Sequence, residues 1–360
     1  MRVLFISRST IFSVPGGDTV QMECTANELR KMGVEVTIWD NQADLEYDSY
    51  DLIHFFNLTR PAAILFHTTK CSIPYVVSTI YVQYDFYKTL YPWSLMGLAT
   101  RILGIDGIEY LKTAVKHFLG KEKLDYLPFL FKGQKKSIRD VLAGASAILP
   151  NSKSEALRVF KNYRIKTKEF IVPNGIDFEK FDHDLDLERV SNQLICVGQI
   201  EPRKNQLNLI KAIDKLDVTL LIVGDSAPNH TSYLETCKAT ASDKVQFIPR
   251  ISQEELVRYY LSSAIHILPS WFETTGLSSL EAAYLGCKII VSPNGDTRDY
   301  FGEFANYCDP SSVTSIQRSI ETSLGASYPN EMRELIKKEF NWQKTAAKTK
   351  QCYESIKIKE

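Results

Sequence analysis

Two carboxylates and two cations stand out by their spacing. Glu273 and Glu281 lie within Leu268-Pro269-Ser270-Trp271-Phe272-Glu273-Thr274-Thr275-Gly276-Leu277-Ser278-Ser279-Leu280-Glu281-Ala282-Ala283-Tyr284-Leu285-Gly286, which reads as a strand end, a polar turn and the start of a helix. The free amides of a helix start, with Gly276 allowing close approach, suit an anionic phosphate. Glu281 falls on the helical stripe of Leu277, Leu280 and Tyr284 and is expected to face inward, where a carboxylate needs a partner. Ribose or sugar hydroxyls would serve, and so would a buried ion pair with an Arg or Lys. The second cluster, Val197-Gly198-Gln199-Ile200-Glu201-Pro202-Arg203-Lys204-Asn205-Gln206, follows a strand and opens a helix. Arg203 and Lys204 at such a place suit a diphosphate, the alternative being an exposed charged turn.

The elements that must position these groups alternate as short apolar runs and helical-period segments, the pattern of parallel sheets covered by helices. Val3 to Ile6, Val36 to Trp39, Leu52 to Phe56, Tyr75 to Val77 and Ala147 to Leu149 read as strands of a first sheet. Met22, Ala26 and Leu29 mark a helix between the first two, with Gly33 as its cap. Leu194 to Val197, Leu220 to Val223, Val245 to Ile248, Ile265 to Leu268 and Ile289 to Val291 form a second series. A length of 360 residues also exceeds what one core usually serves. The reading is therefore α/β with a domain over 1–172, another over 190–338, a linker between them and a C-terminal helix at 339–360. From about Tyr84 to residue 140 lies an insertion of aromatic and aliphatic clusters with Lys112, Lys116, Lys121, Lys123 and Lys132. Arg101, Asp106 and Glu109 exclude a membrane span there. Such a surface could lie on an anionic membrane, or the insertion packs on its own domain behind a solvated lysine face.

Lys plus Arg and Asp plus Glu both number 43, which gives no global field for nucleic acid. The seven cysteines are scattered and form no Cys-x-x-Cys, against a disulfide frame or zinc site. Met1-Arg2-Val3-Leu4-Phe5-Ile6 runs directly into a strand pattern, so a cytoplasmic location is expected, with the inner face of the plasma membrane as a site of action. Gly16 and Gly17 complete no dinucleotide fingerprint, and Asp182-His183-Asp184-Leu185-Asp186 falls in the linker rather than at a strand end. No metal and no other cofactor are expected.

These motifs resemble the retaining GT-B glycosyltransferases of family 4. The resemblance rests on Glu273-x7-Glu281, on Gly198 to Asn205, on Val172-Pro173-Asn174-Gly175-Ile176-Asp177 and on Pro15-Gly16-Gly17. It implies two Rossmann-like domains facing across a cleft that closes on the donor, the C-terminal segment around Phe340-Asn341-Trp342 returning to the first domain. Arg203 and Lys204 would then neutralise a donor diphosphate, with Glu273 on the transferred sugar as the third catalytic group. Glu281 would hold the ribose. Gly17, Thr275, Gly276 and Leu277 would contact the donor, and Arg250 and Ile251 would lie against the nucleobase. The implied activity is retaining, metal-independent transfer of a hexose from a UDP-sugar, or a GDP-sugar, to a glycan or lipid-linked glycan in cell-surface polysaccharide synthesis.

The chain departs from the pattern at Gln199, where many relatives have Arg, and at Thr274-Thr275. Tyr81 stands where relatives often place an active-site His, and His54 and His67 read as structural or surface residues. Two further readings of the same fold are a nucleotide-sugar epimerase and a non-catalytic sugar-nucleotide-binding subunit. A glycosidase would need carboxyls about 5–10 Å apart and has no use for the Arg203-Lys204 pair.

Overall fold

The structure is a computed structural model that describes residues 1–8, 11–13, 15–40, 45–83, 95–119, 124, 126–181 and 187–356. Parts of the insertion, including Tyr84, Lys121 and Lys123, and residues 182–186 lie outside the described residues. The chain divides into two compact units, Met1–Asn174 with Trp342–Glu360, and Gly175–Asn341.

The first unit runs β1 (Arg2–Ile6), α1 (Gly17–Lys31), β2 (Glu35–Ile38), β3 (Leu52–Phe56), α2 (Pro61–Thr68), β4 (Tyr75–Ser78), α3 (Leu95–Phe118), α4 (Phe129–Gly144), β5 (Ala147–Leu149) and α5 (Lys153–Tyr163). Its strands are all parallel in the order β2-β1-β3-β4-β5. A parallel strand is covered by helices on both faces, which is why β3, Leu-Ile-His-Phe-Phe, is buried at every position. The expected insertion forms α3 and α4, helices that pack on each other and bend at Gly104 and Gly133.

The second unit runs β6 (Val190–Val197), α6 (Gln206–Ile213), β7 (Thr219–Val223), α7 (Thr231–Thr240), β8 (Val245–Ile248), α8 (Gln253–Ser262), β9 (Ser263–Leu268), α9 (Leu277–Tyr284), β10 (Lys288–Val291), α10 (Thr297–Phe301), β11 (Ala305–Tyr307), α11 (Val313–Leu324) and α12 (Asn330–Glu339). This sheet is also parallel, in the order β11-β10-β9-β6-β7-β8. From β6 the chain builds outward through β7 and β8, then returns to lay β9 on the other side of β6. The reversal opens a crevice at the carboxyl ends of β6 and β9, the place where doubly wound sheets bind ligands. The cores are built mainly from Val, Leu and Ile, each worth about 1.5–3 kcal/mol when fully buried.

The unit boundaries differ from those read in the sequence. Ile176 and Phe181 already belong to the second core, and Ile176 donates its amide to the Phe340 carbonyl at 3.0 Å. Phe340 and Asn341 therefore stay with the second unit, and the first resumes at α13 (Trp342–Glu354). That helix packs on α1, where Ala346, Cys352 and Tyr353 join the core of Val3, Phe5 and Met22.

Candidate functional site

The turn after β6 carries the cations. Pro202–Lys204 forms a short 3-10 turn, and Asn205, in the left-handed conformation at φ 64°, redirects the chain into α6. Asn tolerates that conformation better than most residues. Its side-chain amide donates to the carbonyls of Pro269 at 3.1 Å and Pro310 at 2.8 Å. The Trp271 amide donates to the Arg203 carbonyl at 2.8 Å, and Ser278 donates to the Val197 carbonyl at 3.1 Å. The loops after β6 and β9 are thus strapped together at the topological crevice.

Glu273 stands at the centre of this strap. Lys204 Nζ lies 2.5 Å and Arg203 Nη1 3.8 Å from its Oε2, and Ser270 Oγ donates to the same oxygen at 3.2 Å. Arg203 is further fixed by Glu201 at 2.6 Å and the Phe272 carbonyl at 3.2 Å. Burial alone would push the Glu273 carboxyl up, but Lys204 and Arg203 outweigh it and hold the carboxyl below its ordinary 4.5. The backbone of Glu273 is braced as well, its amide donating to Asn294 at 3.1 Å and its carbonyl accepting from Asp296 at 2.9 Å. Gly295 makes this possible: at φ 100° a Cβ there would sit 2.0 Å from the Glu273 carbonyl oxygen. Asn294-Gly295 is a plain turn signal in the sequence, yet its role in bracing Glu273 is visible only in three dimensions.

Gly276 caps α9 in the left-handed conformation, φ 70°, and so aims the first helical amides without a side chain over them. Thr275 is buried and donates to Tyr300 Oη at 3.2 Å, and Leu277 is half-buried at the first helical position. Glu281 differs from the expectation. It is half-buried rather than turned into the core, and its charge is met by no salt bridge among the described residues. Tyr260 of α8 donates to its Oε2 at 3.2 Å instead. Burial pushes its carboxyl up to about 7, with Tyr260, Gln253 and Lys180 acting in the opposite direction. Neither Tyr260 nor Ser270 was singled out in the sequence. Arg250 is exposed beyond the end of β8, its amide donating to Asp225 Oδ1 at 3.1 Å, and Ile251 packs against the core. Arg203, Lys204, Glu273, Thr275, Gly276, Leu277, Glu281, Arg250 and Ile251 all follow the carboxyl ends of the second sheet's strands.

Gly17 opens α1 in the first unit, exposed, just beyond the Gly16 cap, while Arg8 grips Asp18 in that helix's first turn at 2.6 Å and 3.0 Å. Tyr81, which the resemblance sets at the position of an active-site histidine, is not turned to the surface. It is buried in the first unit's core, its amide donating to Glu155 Oε1 at 2.7 Å and its hydroxyl meeting Asn162 at 2.9 Å and Tyr163 at 3.2 Å. His54 is also structural, held between Tyr353 at 2.6 Å and Ser78 at 2.9 Å. His67 is likewise buried and meets Tyr47 Oη at 2.7 Å. Arg60, Thr113 and His117 line a cavity between α2, α3 and α4, close to the Asn57-to-Arg60 loop.

Residues 177–342 match the family model described as glycosyl transferases group 1, which covers nearly all of the second unit. Among curated proteins, the MMP alpha-(1->4)-mannosyltransferase of Mycolicibacterium hassiacum is 26% identical over 223 residues, covering 58% of this chain and 53% of that protein. The chain spans about half the length of the curated relatives it matches. Among solved structures, sucrose-phosphate synthase from Thermosynechococcus elongatus superposes with a TM-score of 0.71 at 16% identity, covering 98% of both chains. Anabaena HepE in complex with UDP and glucose gives 0.69 at 12% identity over 99% of both. The fold is that of the GT-B glycosyltransferases.

Proposed function

We propose, on the premise that the second unit is a glycosyl transferase group 1 domain, that the chain moves a hexose from a nucleotide-diphosphate sugar to a glycan or lipid-linked glycan acceptor. The observation that carries the reading is the Arg203–Lys204–Glu273 cluster, strapped to the start of α9 at the crevice of the second sheet. Glu201 and Glu273 hold the two cations in place before any ligand arrives, so little reorganisation is needed when a diphosphate exchanges for one carboxylate contact. Arg203 and Lys204 then stabilise the charge that grows on the departing diphosphate. Glu273, released from Lys204, orients the hydroxyls of the transferred sugar, and Glu281 accepts the ribose hydroxyls. Arg250 and Ile251 flank the base. With two side-chain cations serving the diphosphate, the reaction proceeds without a metal, and the configuration at the anomeric carbon is retained. The donor is a UDP-sugar in preference to a GDP-sugar, and the products belong to cell-surface polysaccharide synthesis.

Calorimetric titration with UDP, GDP, ADP and their sugar conjugates, each with a divalent cation and with EDTA, tests this. One nucleotide is expected to bind in both conditions, about 10–100-fold more weakly in Arg203→Ala, a loss of about 1.4–2.8 kcal/mol for one charge-assisted contact. Binding of none of them, or binding indifferent to Arg203, refutes the site. Burial of Tyr81, together with Gln199, favours one second reading, a sugar-nucleotide-binding subunit. Tight binding with neither transfer nor slow donor hydrolysis would select it.

A further inference from the structure

Tyr300 of α10 is a large, fully buried side chain with a polar tip that the chemistry assigned so far does not use. Its hydroxyl accepts from Thr275 Oγ1 at 3.2 Å, and Thr275 is itself buried. The phenol ring is held in turn. It lies 4.9 Å from the ring of Phe340 at 41°, and the Phe340 carbonyl accepts the Ile176 amide at 3.0 Å. A ring packed this way in a dense core has little rotamer freedom, so its oxygen stands at a set place.

That oxygen meets the turn from β9 into α9 where other ties give out. The first part of the turn is bound to the loop after β10: Ser292 Oγ donates to the Ser270 carbonyl at 2.5 Å, the Glu273 amide donates to Asn294, and the Asp296 amide donates to Glu273. Past Glu273 the chain must still reach Gly276, whose left-handed conformation aims the amides of α9. Glycine is the least stiff residue available, so a strut just before it decides where Thr275 to Leu277 stand. Thr275 is also one of the positions at which the chain departs from the family pattern. The cations assigned to the diphosphate come from a different loop, after β6. The strut therefore bears on the end of the donor beside Glu273 rather than on the diphosphate.

We infer that Tyr300 is a positioning residue for the sugar end of the donor. It touches no substrate, and through Thr275 it fixes the turn against which the transferred hexose lies. The inference rests on the donor site proposed above, and adds that discrimination between a nucleotide and its hexose conjugate depends on a side chain of α10.

Calorimetry with UDP, GDP and ADP and with their hexose conjugates tests it on the full chain, with Tyr300→Phe and Thr275→Val made singly and together. Tyr300→Phe keeps the ring and its packing and removes only the strut. Each single variant should lower the affinity for the conjugate relative to that for the free nucleotide about 3–10-fold, the span of one neutral hydrogen bond. The double variant should lose no more than either single one, because both remove the same contact. In slow donor hydrolysis the KM for the conjugate should rise in step with the lost affinity. Equal losses for nucleotide and conjugate, as general loosening of the site would give, overturn the inference and leave the donor site standing. So do an unchanged ratio in Tyr300→Phe and losses that add in the double variant. A wild type that binds none of the nucleotides removes the donor site and the inference together.

Discussion

Glu281→Gln should make the second unit more stable while weakening its ligand binding, and the stability gain should depend on pH. Burial moves the Glu281 carboxyl from 4.5 to about 7. At 1.36 kcal/mol per unit the shift amounts to about 3 kcal/mol, discounted to about 2 because the side chain is partly open to water. The unfolded chain gives up this proton near pH 4.5, and the folded chain holds it until near 7. Folding therefore retains a proton between those values, and the wild type loses stability as pH rises through that window. The amide carries no charge to desolvate, and its oxygen still accepts from Tyr260. Thermal unfolding at pH 8.5 should show the variant roughly 4–8 °C above the wild type, the gap closing toward pH 5, where Glu281 is protonated. Taking the difference between the two proteins cancels the contributions of other titrating groups. Nucleotide affinity at pH 8.5 should fall about tenfold, since a charge-assisted acceptor for the ribose is lost. Equal melting temperatures at pH 8.5 would refute the strained carboxylate, and unchanged affinity would refute its ribose role.

The remaining expectations concern the same frame. Lys204→Met leaves the buried Glu273 with only the 3.8 Å contact to Arg203 for a counter-charge, so it should lower stability by about 3 kcal/mol and nucleotide affinity by tenfold or more, read by melting and calorimetry. Gly295→Ala sets a Cβ against the Glu273 carbonyl at a strained φ, and should both lower the melting temperature and abolish nucleotide binding, although no ligand contact is assigned to it. His54 and His266 are buried, and burial lowers both to about 3. As pH falls below 6.5 the unfolded chain takes up these protons first, so stability is lost toward acid; His266→Phe should flatten part of that slope in melting curves from pH 7 to 5.

The strands of both sheets are readable because a parallel strand buried on both faces leaves a continuous apolar run, as in Thr-Leu-Leu-Ile-Val of β7 and Ser-Ala-Ile-His-Ile-Leu of β9. β11, Ala-Asn-Tyr at the sheet's edge with one buried position, leaves no such mark. Helical period places Glu281 on the stripe of Leu277, Leu280 and Tyr284, but not the partner it finds, because Tyr260 comes from another helix and its approach is a tertiary matter. Tyr81 shows the same limit. Its position after β4 follows from the strand pattern, whereas its direction follows from Ile80, at φ 42°, and from the Glu155 carboxylate that captures its amide. The cation turn reads from Arg203-Lys204 beside Asn205, while the weld between the two loops that gives it meaning depends on backbone carbonyls that have no signature in a sequence.

The first unit's core is closed by α13, whose residues follow the entire second unit in the chain. On a ribosome the five strands around β1 emerge early, yet the side chains that cover Val3, Phe5 and Met22 arrive roughly 10–30 s later at ordinary elongation rates. For that interval the nascent chain carries an uncapped apolar face, a natural client for a holdase. Shortening the protein by its last turns would thus harm the half made first, and a premature stop near the end would be felt at the beginning.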